Sequence, residues 1–198
     1  MKKRRASKKS IDKWKAKKWY SVIAPSVFEN KVVGEVISGD PSNLQNRIVP
    51  VPVVDVIGRS KPEWDYSNIK FRIKEVKDDK AYAEIIGFEV AFSFLRALAK
   101  RRRSVIHEVV DVKTKDGKRV RIKALLVTHK KVSAIVKKNL RKELVERLIE
   151  FASSRDYYSL IKETLNGKYA SNVFKYVNKI NPVQHLIIKK MELFEEFT

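Results

Sequence analysis

Ten cations and two tryptophans are interleaved in the first twenty residues: Lys2, Lys3, Arg4, Arg5, Lys8, Lys9, Lys13, Trp14, Lys15, Lys17, Lys18 and Trp19. Asp12 is the one carboxylate among them. Like charges this dense repel one another and bury little apolar surface, so the segment is expected to be a disordered arm when free. Cations set among large aromatic rings suit a surface that neutralises phosphates and stacks on bases. RNA is the first partner this chemistry suggests. Trp14 suits stacking; for Trp19, stacking and anchoring of the arm to the first strand are equally open.

Three further basic clusters follow. Lys100, Arg101, Arg102 and Arg103 are consecutive, and three arginines in a row exceed what a helix end needs to offset its dipole. Arginine also matches phosphate oxygens two at a time. Lys113, Lys118, Arg119, Arg121 and Lys123 fall in one hairpin and are expected to contact RNA. Lys130–Lys142 fits a solvated helix face equally well and is not assigned to the interface.

The same residues speak against catalysis and bound cofactors. His107, His129 and His185 lie far apart with no ligand-spaced partners. There is no cysteine, hence no thiolate site and no disulfide. The six glycines form neither a phosphate loop nor a dinucleotide fingerprint. No close acidic pair marks a two-metal nuclease. No cofactor and no metal are expected.

These groups are positioned by a strand-rich first part and a helical second part. Tyr20–Ala24 and Val32–Ile37 are expected strands, the second closed by Gly39-Asp40-Pro41-Ser42-Asn43. Arg47–Ile57 is β-branched, but Pro50 and Pro52 make it an edge or interrupted strand. Asn68–Val76 alternates Ile69, Phe71 and Ile73 against Lys70, Arg72 and Lys74, a half-buried strand returning through Ala81–Phe88. Val90–Arg102 reads as a helix burying Phe94, Leu95 and Leu98. Phe71, Phe88, Phe92, Phe94, Phe151 and Phe174 are expected in the core.

For the hairpin over Glu108–Thr128, a two-residue turn at Asp116-Gly117 mixes apolar and charged residues on each face. A three-residue loop, Lys115-Asp116-Gly117, pairs Val112 with Val120 and Val110 with Ile122. It also sets Asp111 opposite Arg121 and Lys113 opposite Arg119. One slip exchanges the faces, so burial favours this second register, with Gly117 left-handed. Ser133–Phe151 is an amphipathic helix with Val136, Leu140, Leu144 and Leu148 on one stripe and Val145 and Ile149 beside it. Ser153-Ser154-Arg155-Asp156 is the expected capping box of a second helix ending at Asn166-Gly167. A third helix covers about Lys168–Lys179, and Gln184–Phe194 is a closing strand. Strands first and helices afterwards make the class α+β.

The net charge of the whole chain is +21, and the excess is not confined to the arm. The body therefore also calls for a polyanionic partner. No apolar run approaches the 18 residues of a membrane span, and neither a signal-peptide core nor a lipidation signal accompanies the basic start. A cytoplasmic protein that does not bind membranes is expected.

Asp12–Phe28 (DKWKAKKWYSVIAPSVF), Gly87–Ile106 (GFEVAFSFLRALAKRRRSVI) and Val109–Thr128 (VVDVKTKDGKRVRIKALLVT) closely resemble the S-three-A-e, or S-one-e, family. These are small-subunit ribosomal proteins of archaea and eukaryotes, and the length resembles the archaeal form. The resemblance implies a mixed, largely antiparallel, β-rich and partly barrel-like domain with C-terminal helices and a basic N-terminal arm. The expected division is an arm over 1–19 and one globular domain over 20–198. That domain is β-rich over 20–128 and mainly helical over 133–180, and it closes with a strand over 184–194. The resemblance also implies a non-catalytic constituent of the small (30S) subunit, on the platform near the mRNA exit. Its partners would be small-subunit rRNA, neighbouring platform proteins and mRNA near the exit channel. Pro50-Val51-Pro52 and Arg59–Trp64 match no pattern of that family and are given no role. The alternative is a free-standing basic RNA- or DNA-binding protein of the chromatin or RNA-chaperone type.

Overall fold

The structure is a computed structural model that describes Trp14, residues 17–58 and residues 64–194. The expected disorder of the arm concerns residues that lie mostly outside the described ones. β1 (Lys18–Ile23) begins two residues before the expected strand and so includes Lys18 and Trp19. β2 (Val32–Ser38) pairs with it antiparallel. Among the described residues β3 (Ile48–Pro52) pairs only with β4 (Ser67–Lys77), the edge position that its two prolines demand. Straight after Pro52 comes a short helix, α1 (Val53–Ile57), where the β-branched sequence predicts continuing strand. Pro52 has no N–H to extend the ladder and stands, with extended backbone, at the cap position just before the helix, so the strand ends there despite the β-branched run.

β5 (Lys80–Val90) is the hub. One edge carries β4 along its length. The other edge is shared, with β1 joining in parallel at Lys80–Tyr82 and β8 (Val183–Leu193) joining antiparallel at Gly87–Glu89. β8 continues into β7 (Arg119–Thr128), and β7 into β6 (Val105–Lys113). Register shifts between β4 and β5 bend the sheet. It stays open, with β2, β3 and β6 each pairing with a single strand among the described residues, so the barrel-like expectation holds only loosely.

Gly87 lies where three strands meet. A Cβ there would lie 2.5 Å from the Met191 carbonyl oxygen, so only glycine lets β8 approach β5 this closely.

Ile69, Phe71 and Ile73 are fully buried, as their alternation requires. The opposite face is neutralised by ion pairs from Lys70 to Glu89 and Lys74 to Glu84. The hairpin has the second of the two registers, with Val112 opposite Val120 and Asp111 opposite Arg121. Gly117 has φ +78°, the left-handed bulge position.

α2 (Phe92–Leu98) is shorter than the expected Val90–Arg102. Val90 belongs to β5. At the other end Arg96, Lys100 and Arg103 would stand on neighbouring turns and repel one another. Leu95 is buried and Phe94 half-buried against Tyr66, but Phe92 is 66% exposed, contrary to the core expectation. At ~100° per residue it stands ~110° from the stripe of Phe94, Leu95 and Leu98.

α3 (Ala134–Ser153), capped by the Ser133 hydroxyl, packs Leu140, Leu144 and Leu148 into the core against β6 and α5. Each such leucine contributes about 2 kcal/mol by burial. Ile149 points to solvent instead of flanking that stripe. α4 (Tyr157–Leu165) and α5 (Lys168–Ile180) complete the helical layer.

The expected capping box does not form. The Ser153 and Ser154 hydroxyls donate back to the Glu150 and Phe151 carbonyls of α3. The first amide of α4, Tyr157 N–H, donates instead to the Asp116 carboxylate at 3.0 Å. One apolar core runs through sheet and helices alike.

Candidate nucleic-acid interface

β6 and β7 are paired along their whole length, so the segment entering β6 and the segment leaving β7 emerge at one end. The entering segment is Lys100–Arg103; the leaving segment is His129–Lys131. A buried joint ties them together. Thr128 N–H donates to the Ser104 carbonyl at 3.0 Å, and Ser104 N–H donates to the Thr128 hydroxyl oxygen at 3.1 Å. That hydroxyl donates to the Lys130 carbonyl at 2.6 Å, and Val132 N–H donates to the Ser104 hydroxyl at 3.1 Å. Ser104 and Thr128 are both buried, which locks the two basic segments side by side.

Lys100, Arg101 and Arg102 are exposed and Arg103 is half-buried. Arg102 has φ +63°, a left-handed conformation that an arginine adopts at a cost. Strain of this kind tends to collect where function requires it. Lys130 and Lys131 are exposed, and α3 adds Lys137 and Lys138 in its first turns. Among the described residues none of these eight cations forms an ion pair. The later cations of that cluster do, with Arg141 paired to Glu108 at 2.9 Å and Lys142 to Glu146 at 3.9 Å. The open end is therefore a surface of uncompensated charge with phosphate-binding chemistry.

The hairpin face differs. Arg121 donates twice to Asp111, at 2.7 and 2.8 Å. These bonds hold the Asp111 carboxyl below its ordinary range and raise the guanidinium. Lys123 reaches Glu192 at 3.1 Å. Lys118 lies over the rings of Tyr157 and Tyr158, 5.3 and 4.8 Å from their centroids. Lys113 and Arg119 are exposed and form no ion pair among the described residues. They stand at the far end of the hairpin, about 27 Å along the strand from the open end. There the loop is docked internally, since Lys115 N–H donates to the Arg155 carbonyl at 3.0 Å and Asp116 caps α4. Asp116 shares a hydrogen bond with Asp156, which lowers Asp116 and raises Asp156.

The third location is β1. Trp19 is 61% exposed opposite Ile37, and Trp14 is 66% exposed with the Lys17 ammonium 4.1 Å from its ring centroid. Trp14, Lys17 and Trp19 line an open hollow with Arg47, Ile48 and Pro50. Lys18 is exposed beside them. Lys2, Lys3, Arg4, Arg5, Lys8, Lys9, Lys13 and Lys15 lie outside the described residues. β1 meets β5 at the opposite end from β8, so the tryptophans and the open end are separate surfaces.

Sequence reasoning names the Lys130–Lys142 run but leaves it open between a solvated face and an RNA contact, so Lys130, Lys131, Lys137 and Lys138 are not assigned there; Arg47 has no distinguishing signal and is passed over. Among the described residues no group of three or more His, Asp or Glu could hold a metal, and no helix is long and apolar enough to cross a membrane.

A model of the ribosomal S3Ae family matches residues 5–196. The chain belongs to this family. Relatives named small ribosomal subunit protein eS1 align over nearly all of it. The protein of Archaeoglobus fulgidus is 31% identical over 98% of this chain and 92% of its own length. That of Methanoculleus marisnigri is 33% identical over 92% of both. That of Methanothrix thermoacetophila is 34% identical over 96% of this chain and 89% of its own length. The family match spans all three basic surfaces, including the arm from Arg5 onward.

Proposed function

We propose that this chain is a structural constituent of the small ribosomal subunit of the archaeal type, in the cytoplasm, and that it binds small-subunit rRNA. Near full-length similarity to proteins named for that subunit supports the first part. The family's role is structural rather than catalytic. The observation that carries the second part is the pairing of Lys100–Arg103 with Lys130 and Lys131 across the Ser104–Thr128 joint. Cations without internal carboxylate partners attract phosphates and release counterions on binding. Such contacts position a protein on RNA without reading its sequence.

The finer reading is an arm over residues 1–19 that reaches into rRNA and a domain over 20–198 that sits on the platform near the mRNA exit. Lys2, Lys3, Arg4, Arg5, Lys8, Lys9, Lys13 and Lys15 serve the arm, with Trp14, Lys17, Lys18 and Trp19 at its junction with β1. Lys113 and Arg119 offer a separate phosphate contact at the hairpin tip. Lys118, Arg121 and Lys123 bind RNA only by adding phosphate to contacts they already make. Platform proteins and mRNA near the exit are the further partners.

Sedimentation of a native lysate through sucrose in high salt tests the assignment. Stoichiometric presence in the small-subunit peak is the expected result. Recovery at the top of the gradient would make the chain a loose nucleic-acid binder instead.

A further inference from the structure

Phe92 has an unusual setting for an exposed ring. It is the first residue of α2, and two cations from different elements lie beside its face. The Arg96 guanidinium carbon is 5.8 Å from the ring centroid, one helical turn along, and the Lys189 ammonium of β8 is 6.0 Å away. Both distances fall within the range where a cation is attracted to an aromatic face. Single exposed apolar residues are common on proteins and need no ligand. Here the surroundings are specific. Ser93, Arg96 and Ala97 are exposed on the same helix, and no other large apolar side chain of α2 is strongly exposed. A protein partner would need an apolar patch, and this is one ring in a cationic rim. About 9 Å of helix separates Phe92 from Leu98, after which the exposed Lys100, Arg101 and Arg102 begin. The ring and the basic turn therefore stand at the two ends of α2, a separation that a few nucleotides of a single strand can span.

We propose that Phe92, flanked by Arg96 and Lys189, stacks on one unpaired RNA base whose strand is held by the Lys100–Arg102 turn. Every base has a π-face, so the site takes any unpaired nucleotide and discriminates single strands from duplexes. Arg96 and Lys189 supply cations for the phosphates on either side of that base. The inference rests on the RNA-binding reading of the basic turn.

The test uses the full chain and three probes: a 12-nucleotide oligouridine, an abasic sugar-phosphate oligomer of equal length, and an RNA duplex. Phe92→Ala is expected to weaken oligouridine binding about tenfold, the scale of one base stack. Its binding to the abasic oligomer and the duplex, and its salt dependence, should match the unaltered protein. Phe92→Tyr should restore the oligouridine affinity. An Arg101→Ala, Arg102→Ala pair should weaken all three probes. If Phe92→Ala binds oligouridine normally while the arginine pair weakens all three, stacking is wrong and the phosphate reading stands. If the arginine pair binds every probe normally, the basic turn is not the RNA site and the proposal falls with it. Normal RNA binding by Phe92→Ala with loss from small subunits would instead assign the ring to a protein neighbour and overturn the stacking role.

Discussion

The hydroxyl of Thr128 accepts the backbone N–H of Ser104 at 3.1 Å and donates to the Lys130 carbonyl at 2.6 Å, so one buried side chain holds two basic segments together. Thr128→Val keeps the shape and removes both bonds. The Ser104 amide is then buried without its acceptor, which costs about 1–3 kcal/mol. Urea unfolding should show that loss, and Thr128→Ser should recover most of it. RNA affinity should fall further than the stability loss alone explains, because the two segments are freed to part.

Gly87→Ala tests the junction of the branched sheet. The added methyl meets backbone, which cannot move aside as a flexible side chain can. The expected cost is about 3 kcal/mol, the upper range for overpacking, with β8 drawn away from β5. Thermal unfolding measures it, and reduced amide-exchange protection at Met191 and Glu192 locates it.

Arg102→Gly separates function from folding. Glycine adopts φ +63° without strain, so stability should stay within about 1 kcal/mol of the parent. RNA affinity should drop, and the slope of log affinity against log salt should decrease by about 1, because one phosphate is no longer neutralised.

Acid sensitivity follows from three carboxylates. Lys70 donates to Glu89, and the charges of Lys70 and Lys190 add to that, holding Glu89 below its ordinary 4.5. Arg121 does the same to Asp111, whose ordinary value is 3.8. Burial pushes Glu192 up, but hydrogen bonds from Lys190 and Lys123 outweigh it and the net shift is downward. Unfolded, these groups take up protons first as pH falls. Their contribution to stability is therefore complete above the ordinary carboxylate values and is lost below about pH 4, as pH descends through the depressed folded values. Glu89→Gln should flatten the acid limb of a stability-versus-pH curve and leave its neutral-to-basic part parallel to the parent's.

What is legible in the sequence depends on range. The hairpin register can be read because a one-residue slip would turn Val110, Val112, Val120 and Ile122 outward, and that penalty is local. It also places Asp111 opposite Arg121, and the structure closes that pair. Leu140, Leu144 and Leu148 are legible for the same reason, by helical period. The capping of α4 by Asp116 spans 41 residues and has no periodic signature, whereas the local Ser-Ser-Arg-Asp pattern looks sufficient. The Ser104–Thr128 joint spans 24 residues and relies on small hydroxyls that mark nothing in a sequence. Phe92 misleads because residue type outweighs its angular position on a short helix. The charge runs show where cations are, but only the fold shows which of them carboxylates already engage.

Ultraviolet crosslinking of intact small subunits, followed by mass spectrometry of this chain's nucleotide-modified peptides, tests the central claim most directly. Nucleotide adducts on peptides covering both Lys100–Arg103 and Lys130–Lys131 are the predicted result. Adducts found elsewhere on the chain, with both of those segments unmodified, would contradict the account.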